Sequence, residues 1–374
     1  MTRTIVDVHV IQTVPPSNLN RDDTGSPKTA VYGGVRRARV SSQAWKRATR
    51  LDFDSHLDRA ELGVRTKRVV ELIADEIKNQ AADLADQGEE IATALLKAAG
   101  IKLSKPRKGD IDESGYLIFL SRGQIEALAA LGIEAAHDER LDGIDKKRAK
   151  EAFKSDNSID LALFGRMVAD DKDLNVDASA QVAHAISVHP VDTEYDYFTA
   201  VDDHKSEDDE EDAGAGMIGT VEFNSATFYR YATVDVDGLF RNLGDSEATQ
   251  RAVQAFVRSF VTSMPTGKQN TFANRTLPDG IIVTVRSDQP VSYVGAFEQA
   301  VQASSGGHVS AASKQLNDYV AEVEHAFGGT PETSWSVAVG ERMSALGALG
   351  QPVTFSTLLD QLASTVSNRI ASTP

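Results

Sequence analysis

Seven cationic side chains fall between Thr24 and Arg50 with no acidic residue among them: Lys28, Arg36, Arg37, Arg39, Lys46, Arg47 and Arg50. An unopposed run of this kind attracts anions, and its spacing indicates which. Ser41 or Ser42 suits the N-cap of a helix running from Gln43 to about Phe53. On such a helix Gln43, Lys46, Arg47 and Arg50 share one face, and Ala44, Trp45, Ala48 and Leu51 lie opposite and are expected to pack inward. Two hydroxyls, the free amides of a helix N-terminus and several cations along a path are what a phosphate backbone needs. The competing reading is an ordinary solvated amphipathic helix. The arginine-rich lead-in and the missing counter-charges argue against it.

The other constellations carry less. PTGKQNTF, Pro265 to Phe272, puts Lys268 and Gln269 in a turn after a helix, which alone reads as a solvent loop. Gly214 to Gly219 matches GxGxxG, but a dinucleotide site needs a strand before and a helix after. Here an acidic run precedes and the strand-like TVEF follows, so a hairpin tip is expected. The carboxylate pairs Asp22-Asp23, Asp170-Asp171 and Asp202-Asp203 could hold a metal or poise a base, although adjacent loop acids more often make turns. Histidines show no HExxH spacing, and His184 and His189 flank the end of an expected helix. GxSxG and GxxxxGK[ST] are both missing. No set of residues amounts to a catalytic, metal or cofactor site.

The 374 residues suffice for one large domain with insertions or two smaller ones. The composition, 41% hydrophobic and 25% charged, is that of a globular protein, and the net charge of −16 opposes nucleic acid unless positive charge is concentrated locally. The acidic excess is itself concentrated, with eight acids against the single Lys205 between Val201 and Asp212. Cysteine is absent, so disulfides and thiol chemistry are excluded. The opening MTRTIVDVHVIQTV is too short and too polar for a signal peptide, and no run of about 18 apolar residues forms a span. A cytoplasmic location is expected.

The elements that must position the basic segment follow from periodicity. Thr4 to Val10 alternates as a strand, with Val6, Val8 and Val10 on one face and Ile5, Asp7 and His9 on the other. A Pro-, Ser- and Asn-rich loop follows from Pro15 to Pro27, then a short strand over Arg37 to Val40. From Val64 to Val188 the spacing is mainly helical, ASAQVAHAISV included. Extended arms around an acidic tip run from His189 to Asp237, a helix spans about Glu247 to Ser263, and GIIVTVRS at 280–287 is a strand. The remainder reads as mostly helical. With the helical block and the arms set aside, the order is strand, helix, strand, strand, helix, strand, the βαββαβ order of an α+β ferredoxin-like domain. Fold of this kind does not by itself decide function.

LNRDD at 19–23 and YGGVRRARVSSQAWKRATR at 32–50 resemble the N-terminus of the CasC family, the backbone subunits of type I-E CRISPR Cascade. FGRMVAD at 164–170, AQVAHAISVHPVDTEYDYFTAVDD at 180–203, GTVEFNSATFYRYATV at 219–234 and GKQNTF at 267–272 extend the resemblance in order. It is weakest between about 55 and 155 and over the last 80 or so residues. The resemblance implies an RRM-like palm (1–55 and 233–374), a helical fingers insertion (56–188) and an extended thumb (189–232). It implies a non-catalytic subunit that polymerises along CRISPR RNA (crRNA), kinks it at intervals and presents it to target DNA, with other copies of itself and other Cascade subunits as partners. Carried over residue by residue, Lys28, Ser41, Gln43, Lys46 and Arg50 would contact phosphates and riboses, with Arg21 and Lys268 beside them. Met167 would wedge the kinked nucleotide together with Phe198 and Ile218 of the thumb. The long acidic thumb tip departs from the family pattern. The alternative is a metal-dependent RNA endonuclease of the type III kind, with Asp22 or Asp23 in an early loop.

Overall fold

The computed structural model describes residues 3–200, 217–303 and 307–372. Its first strand, β1 (Ile5–Ser17), is buried along nearly its whole length. Alternation sends Val6, Val8, Val10 and Val14 into one apolar core and Ile11 into another, with Asp7 and His9 buried on Ile11's side. Pro15 and Pro16, read from sequence as the start of a loop, belong to this strand. Pairing slips between Val14 and Ser17, and such an irregularity tolerates residues that have no N–H to give the ladder.

β2 (Thr29–Tyr32) and β3 (Val35–Val40) form a hairpin that leads directly into α1 (Ser42–Asp52). The helical block then brings β4 (Val64–Thr66), α2 (Val69–Gln80), α3 (Gly88–Ala98), β5 (Leu103–Ser104), β6 (Glu113–Ser114), β7 (Ile118–Leu120), α4 (Arg122–His137) and α5 (Lys146–Lys154). It closes its own core around Ile73, Leu95, Leu128 and Phe153. The next helix, α6 (Ile159–Phe164), instead joins the core under α1. Residues 178–188 are not helical as their spacing suggested. They form β8 (Ala180–Val182) and β9 (Ala185–Ser187), so His184 and His189 flank strands. Periodicity cannot separate a short, alanine-rich run of strand from helix.

Two long arms follow, β10 (Glu194–Ala200) and the 19-residue β11 (Met217–Asp235). α7 (Val236–Leu243), α8 (Ser246–Thr262), the single turn α9 (Gln269–Phe272), β12 (Gly280–Arg286), α10 (Gly307–Phe327), β13 (Thr333–Ala338), β14 (Gln351–Pro352) and α11 (Phe355–Ala371) complete the chain. β13 went unread in the sequence, where this stretch passed for helical.

The main sheet runs β14-β13-β12-β1-β11-β9-β3-β2, with β8 and β10 also paired to β11. Its centre is antiparallel throughout; among the described residues only β13 and β14 pair in parallel. α1, α8 and α11 cover one face through Trp45, Phe256, Phe260 and Leu362, and α10 covers the other through Ala312 and Leu316. The fold is thus α+β, a large mixed sheet with helices on both faces.

The hairpin before α1 is fixed from behind. Arg37, expected among the anion-attracting cations, is fully buried, and its guanidinium donates to the carbonyls of Tyr32, Ser187, Phe297 and Glu298. In the turn it supports, Gly33 has φ +57°, and a Cβ there would sit 1.7 Å from the Glu298 carbonyl oxygen. Gly33→Ala is therefore expected to lower stability by about 2 kcal/mol or more, read as a fall in melting temperature of several degrees. An unchanged melting curve would mean that the hairpin does not hold this position.

Candidate nucleic-acid interface

α1 begins where the sequence placed it. Ser41 is the N-cap, its Oγ accepting from the Ala44 amide at 3.3 Å, and its own amide donates to Asn20 Oδ1 at 2.9 Å. The second bond fastens the LNRDD loop to the helix start. Lys28 is held by the same residue, its amide donating to the Asn20 carbonyl at 2.9 Å. Trp45, Thr49 and Phe53 are the buried stripe of this segment. Gln43 and Arg47 are exposed and Lys46 is half-buried; Leu51, expected in the core, is 44% exposed. It lines a cleft of about 330 Å³ with Leu19, Arg47, Met264, Gly267 and Arg275.

That cleft joins segments far apart in sequence. Gly267 packs so closely on the loop that a Cβ would lie 2.3 Å from the Leu19 carbonyl oxygen. Lys268, next along, takes a left-handed conformation (φ +50°) before the turn of α9. A second, shallow groove on the other side of Gly267 is lined by Asn20, Arg21, Asp22 and Asp23. Arg21, Arg47, Arg275 and the neighbourhood of Lys268 thus border two depressions that share Leu19 and Gly267. Lys28 and Ser41 are tied to the same loop through Asn20, and Gln43 and Lys46 follow along α1. Burial holds the Lys46 ammonium below the usual lysine range. On the Lys28 side, His184 Nδ1 lies 3.2 Å from Arg39 and accepts from the Ser42 amide at 3.4 Å. Burial, then Arg39 and Lys28, lower its pKa, so it stays neutral beside the cations. His184 and Arg275 were missed as site residues because only the folded chain brings them to α1, whereas Arg39 already stood among the cations leading into the helix.

Arg50 differs from its neighbours. Its guanidinium lies 3.7 Å from the buried carboxylate of Asp160 and 5.7 Å from the centroid of the Phe119 ring. Among the described residues it is the one member of the predicted set in an ion pair. The acids of the loop have local work: Asp22 Oδ1 accepts from the amides of Thr24 and Ser26, both at 3.0 Å, and from Thr24 Oγ1 at 2.7 Å. These bonds, the Thr24 hydroxyl first, hold its carboxyl below the usual range.

Met167 projects from the loop after α6 and is 82% exposed, which removes core packing as its role. Its neighbour Arg166 anchors that loop, buried and donating to the carbonyls of Phe119, Phe153 and Leu174 and to Gln124 Oε1. Phe119 therefore touches both Arg50 and the anchor of Met167. On the arms, the Phe198 ring covers Gly219, its partner across the β10–β11 ladder. Ile218 pairs with Thr199, but its side chain and the acidic tip lie outside the described residues.

A family model described as CT1975-like protein matches residues 6–361. The chain belongs to the CasC family of type I-E CRISPR systems. Among solved structures it is similar to a chain of a "CRISPR RNA-guided surveillance complex, pre-nicking", with 36% identity, 97% of this chain and 100% of that one covered, and a TM-score of 0.86. A second, from a "CRISPR RNA-guided surveillance complex", is 32% identical over 96% of this chain and 99% of the other, with a TM-score of 0.76. No curated protein matches it.

Asp160 tests the Arg50 pair. Burial, its largest influence, raises the carboxyl pKa above the ordinary 3.8 despite the amide of Gly63, the Ser158 hydroxyl and Arg50. A raised folded-state pKa contributes stability that is whole below the unfolded value and lost as pH rises through the folded one. Asp160→Asn keeps the Oδ1 acceptor. It is expected to melt at or above wild type at neutral pH, with the difference shrinking toward pH 4. A clear wild-type advantage at neutral pH would mean the ion pair outweighs burial.

Proposed function

We propose that this CasC-family chain is a non-catalytic backbone subunit of a type I-E CRISPR surveillance complex, in which copies line up along crRNA and hold its backbone. The observation that carries this is the convergence of three distant segments, 19–28, 41–50 and 265–275, on one face whose cations other than Arg50 are unpaired among the described residues. Lys28, Ser41, Gln43 and Lys46 contact phosphates and riboses, with Arg21, Arg47 and Lys268 extending the path. Arg50 shares its charge between Asp160 and the RNA. Several charges spread along a path fix backbone position without reading sequence, which base pairing with target DNA then reads.

In this reading the antiparallel centre, β12-β1-β11-β8/β9, with α1 and α8 on one face, is a ferredoxin-like, RRM-like palm. The fingers are the block with its own core, and β10 with the outer part of β11 is the thumb. The division at 1–55, 56–188, 189–232 and 233–374 is kept, except that β8 and β9 hydrogen-bond into the palm. Met167, Phe198 and Ile218 wedge the kinked nucleotide; unstacking costs a few kcal/mol, and apolar contact offsets roughly 1–3 kcal/mol per base. No helix among the described residues is long and apolar enough to cross a membrane.

An RNA endonuclease would need Asp22 or Asp23 free for a metal. The three hydrogen bonds to Asp22 Oδ1 favour a turn-making role instead. Alanine at both positions is expected to leave target interference intact, and loss of a metal-dependent RNA cut would favour the nuclease.

The direct test is to purify the chain with its neighbouring subunits from cells expressing the CRISPR array and to sequence the bound RNA. Spacer-derived RNA protected in regular increments is the expected result; a complex free of RNA would refute the reading. Lys46→Glu with Arg47→Glu is expected to weaken binding of every RNA sequence alike. The slope of log affinity against log salt should be shallower by about 0.7 for each phosphate no longer neutralised. A sequence-selective loss would contradict backbone binding.

A further inference from the structure

Behind the basic face of α1 lies a cation that no carboxylate among the described residues matches. Arg230, on β11, is 1% exposed, and its guanidinium carbon sits 3.7 Å from the Trp45 ring centroid and 4.6 Å from that of Phe260. One terminal nitrogen donates to Gln12 Oε1 at 2.5 Å and the other to the Phe260 carbonyl, while Nε has no partner. The two other large buried guanidiniums without a carboxylate are structural clips. Arg37 donates to four carbonyls, and Arg166 to three carbonyls and a side-chain amide oxygen. Arg230 is less satisfied than either, and a buried cation with incomplete partners is costly.

Its neighbours are the candidate interface itself. Trp45 is on the side of α1 away from Gln43, Arg47 and Arg50, since it lies roughly 140–160° around the helix from them. Phe260 lies three residues before the strand-like exit of α8 at Ser263, which lines the cleft. Gln12, which accepts from Arg230, donates in turn to the Thr276 carbonyl at 2.8 Å, next to Arg275 of the cleft wall. One guanidinium therefore touches α1, the end of α8 and, through Gln12, the 265–276 segment.

We infer that Arg230 is a positioning residue whose positive charge is matched by the phosphate backbone held across α1, so that it belongs to the RNA site without touching RNA. This rests on the proposed function. The helix between them is roughly 10–12 Å across. The guanidinium and a phosphate each stand a few ångströms beyond it, so at roughly 16 Å and an effective dielectric of about 20 one phosphate gains about fivefold in affinity from the buried charge.

Three substitutions separate charge from shape. Arg230→Lys keeps the charge without the fork, Arg230→Gln keeps donors without the charge, and Arg230→Met keeps neither. Binding of a labelled single-stranded RNA to the full chain is measured by titration, with a melting curve of each RNA-free variant. The Lys variant is expected within about twofold of wild type, and the Gln and Met variants about fivefold weaker, with RNA-free melting temperatures no lower than that of Lys. If Lys and Gln lose affinity equally, Arg230 acts by shape alone and the inference falls. Equal binding by wild type and the Gln variant would overturn it too. Should the Met variant not fold, the Lys–Gln comparison decides. A wild-type chain that binds no RNA, alone or in the assembled complex, would instead remove the reading of α1 on which the inference rests.

Discussion

β1 has no solvent side, and the placement of the cations depends on that. Its valines are committed to the helices above and its polar residues to a cluster below. There the Tyr231 hydroxyl donates to Asp7 at 2.8 Å, and His9 stacks between Tyr231 and Tyr293 with Nδ1 2.8 Å from the Tyr229 hydroxyl. Burial drives the His9 pKa down to about 3, so the ring is neutral and the cluster carries no uncompensated cation of its own. A strand held from both sides can neither slide nor turn over without exposing one core. The loop that leaves its end at Ser17 is therefore delivered to a fixed place beside α1.

The net charge of −16 coexists with a basic face because positive charge is used differently in different regions. In the helical block cations meet acids: Arg148 with Glu134, Lys150 with Asp171 and Asp173, Lys102 with Asp170. Exposed pairs of this kind add little stability, yet they cancel the local field. Around α1 the cations lack such partners among the described residues, apart from Arg50. Concentration of field, rather than number of charges, distinguishes the two surfaces.

What could be read in the sequence was what local chemistry dictates. The N-cap serine and the Gln43, Arg47 periodicity placed α1 correctly, because both signals lie within one helix. Leu51 was misplaced because its neighbours in the cleft, Met264 and Gly267, come from the far end of the chain. Arg37 counted as a free cation until the fold closed four carbonyls around it. The 178–188 run was misread because small residues satisfy helical and strand spacing alike. β13 was missed because TSWSVA is only six residues long and half polar, too short for its Trp335, Val337 alternation to stand out. The chemistry at the face was local and legible. The packing that assembles it was not.

β11 is a single uninterrupted strand serving two structures. From Asn224 to Asp235 it pairs with β1, and from Met217 to Phe223 it pairs with β10. Side-chain direction along it is therefore one continuous alternation, with no turn at which phase could be reset. An odd number of residues gained between Phe223 and Asp235 would turn every side chain beyond it to the opposite face. Insertions along this strand should then be tolerated in even numbers or not at all.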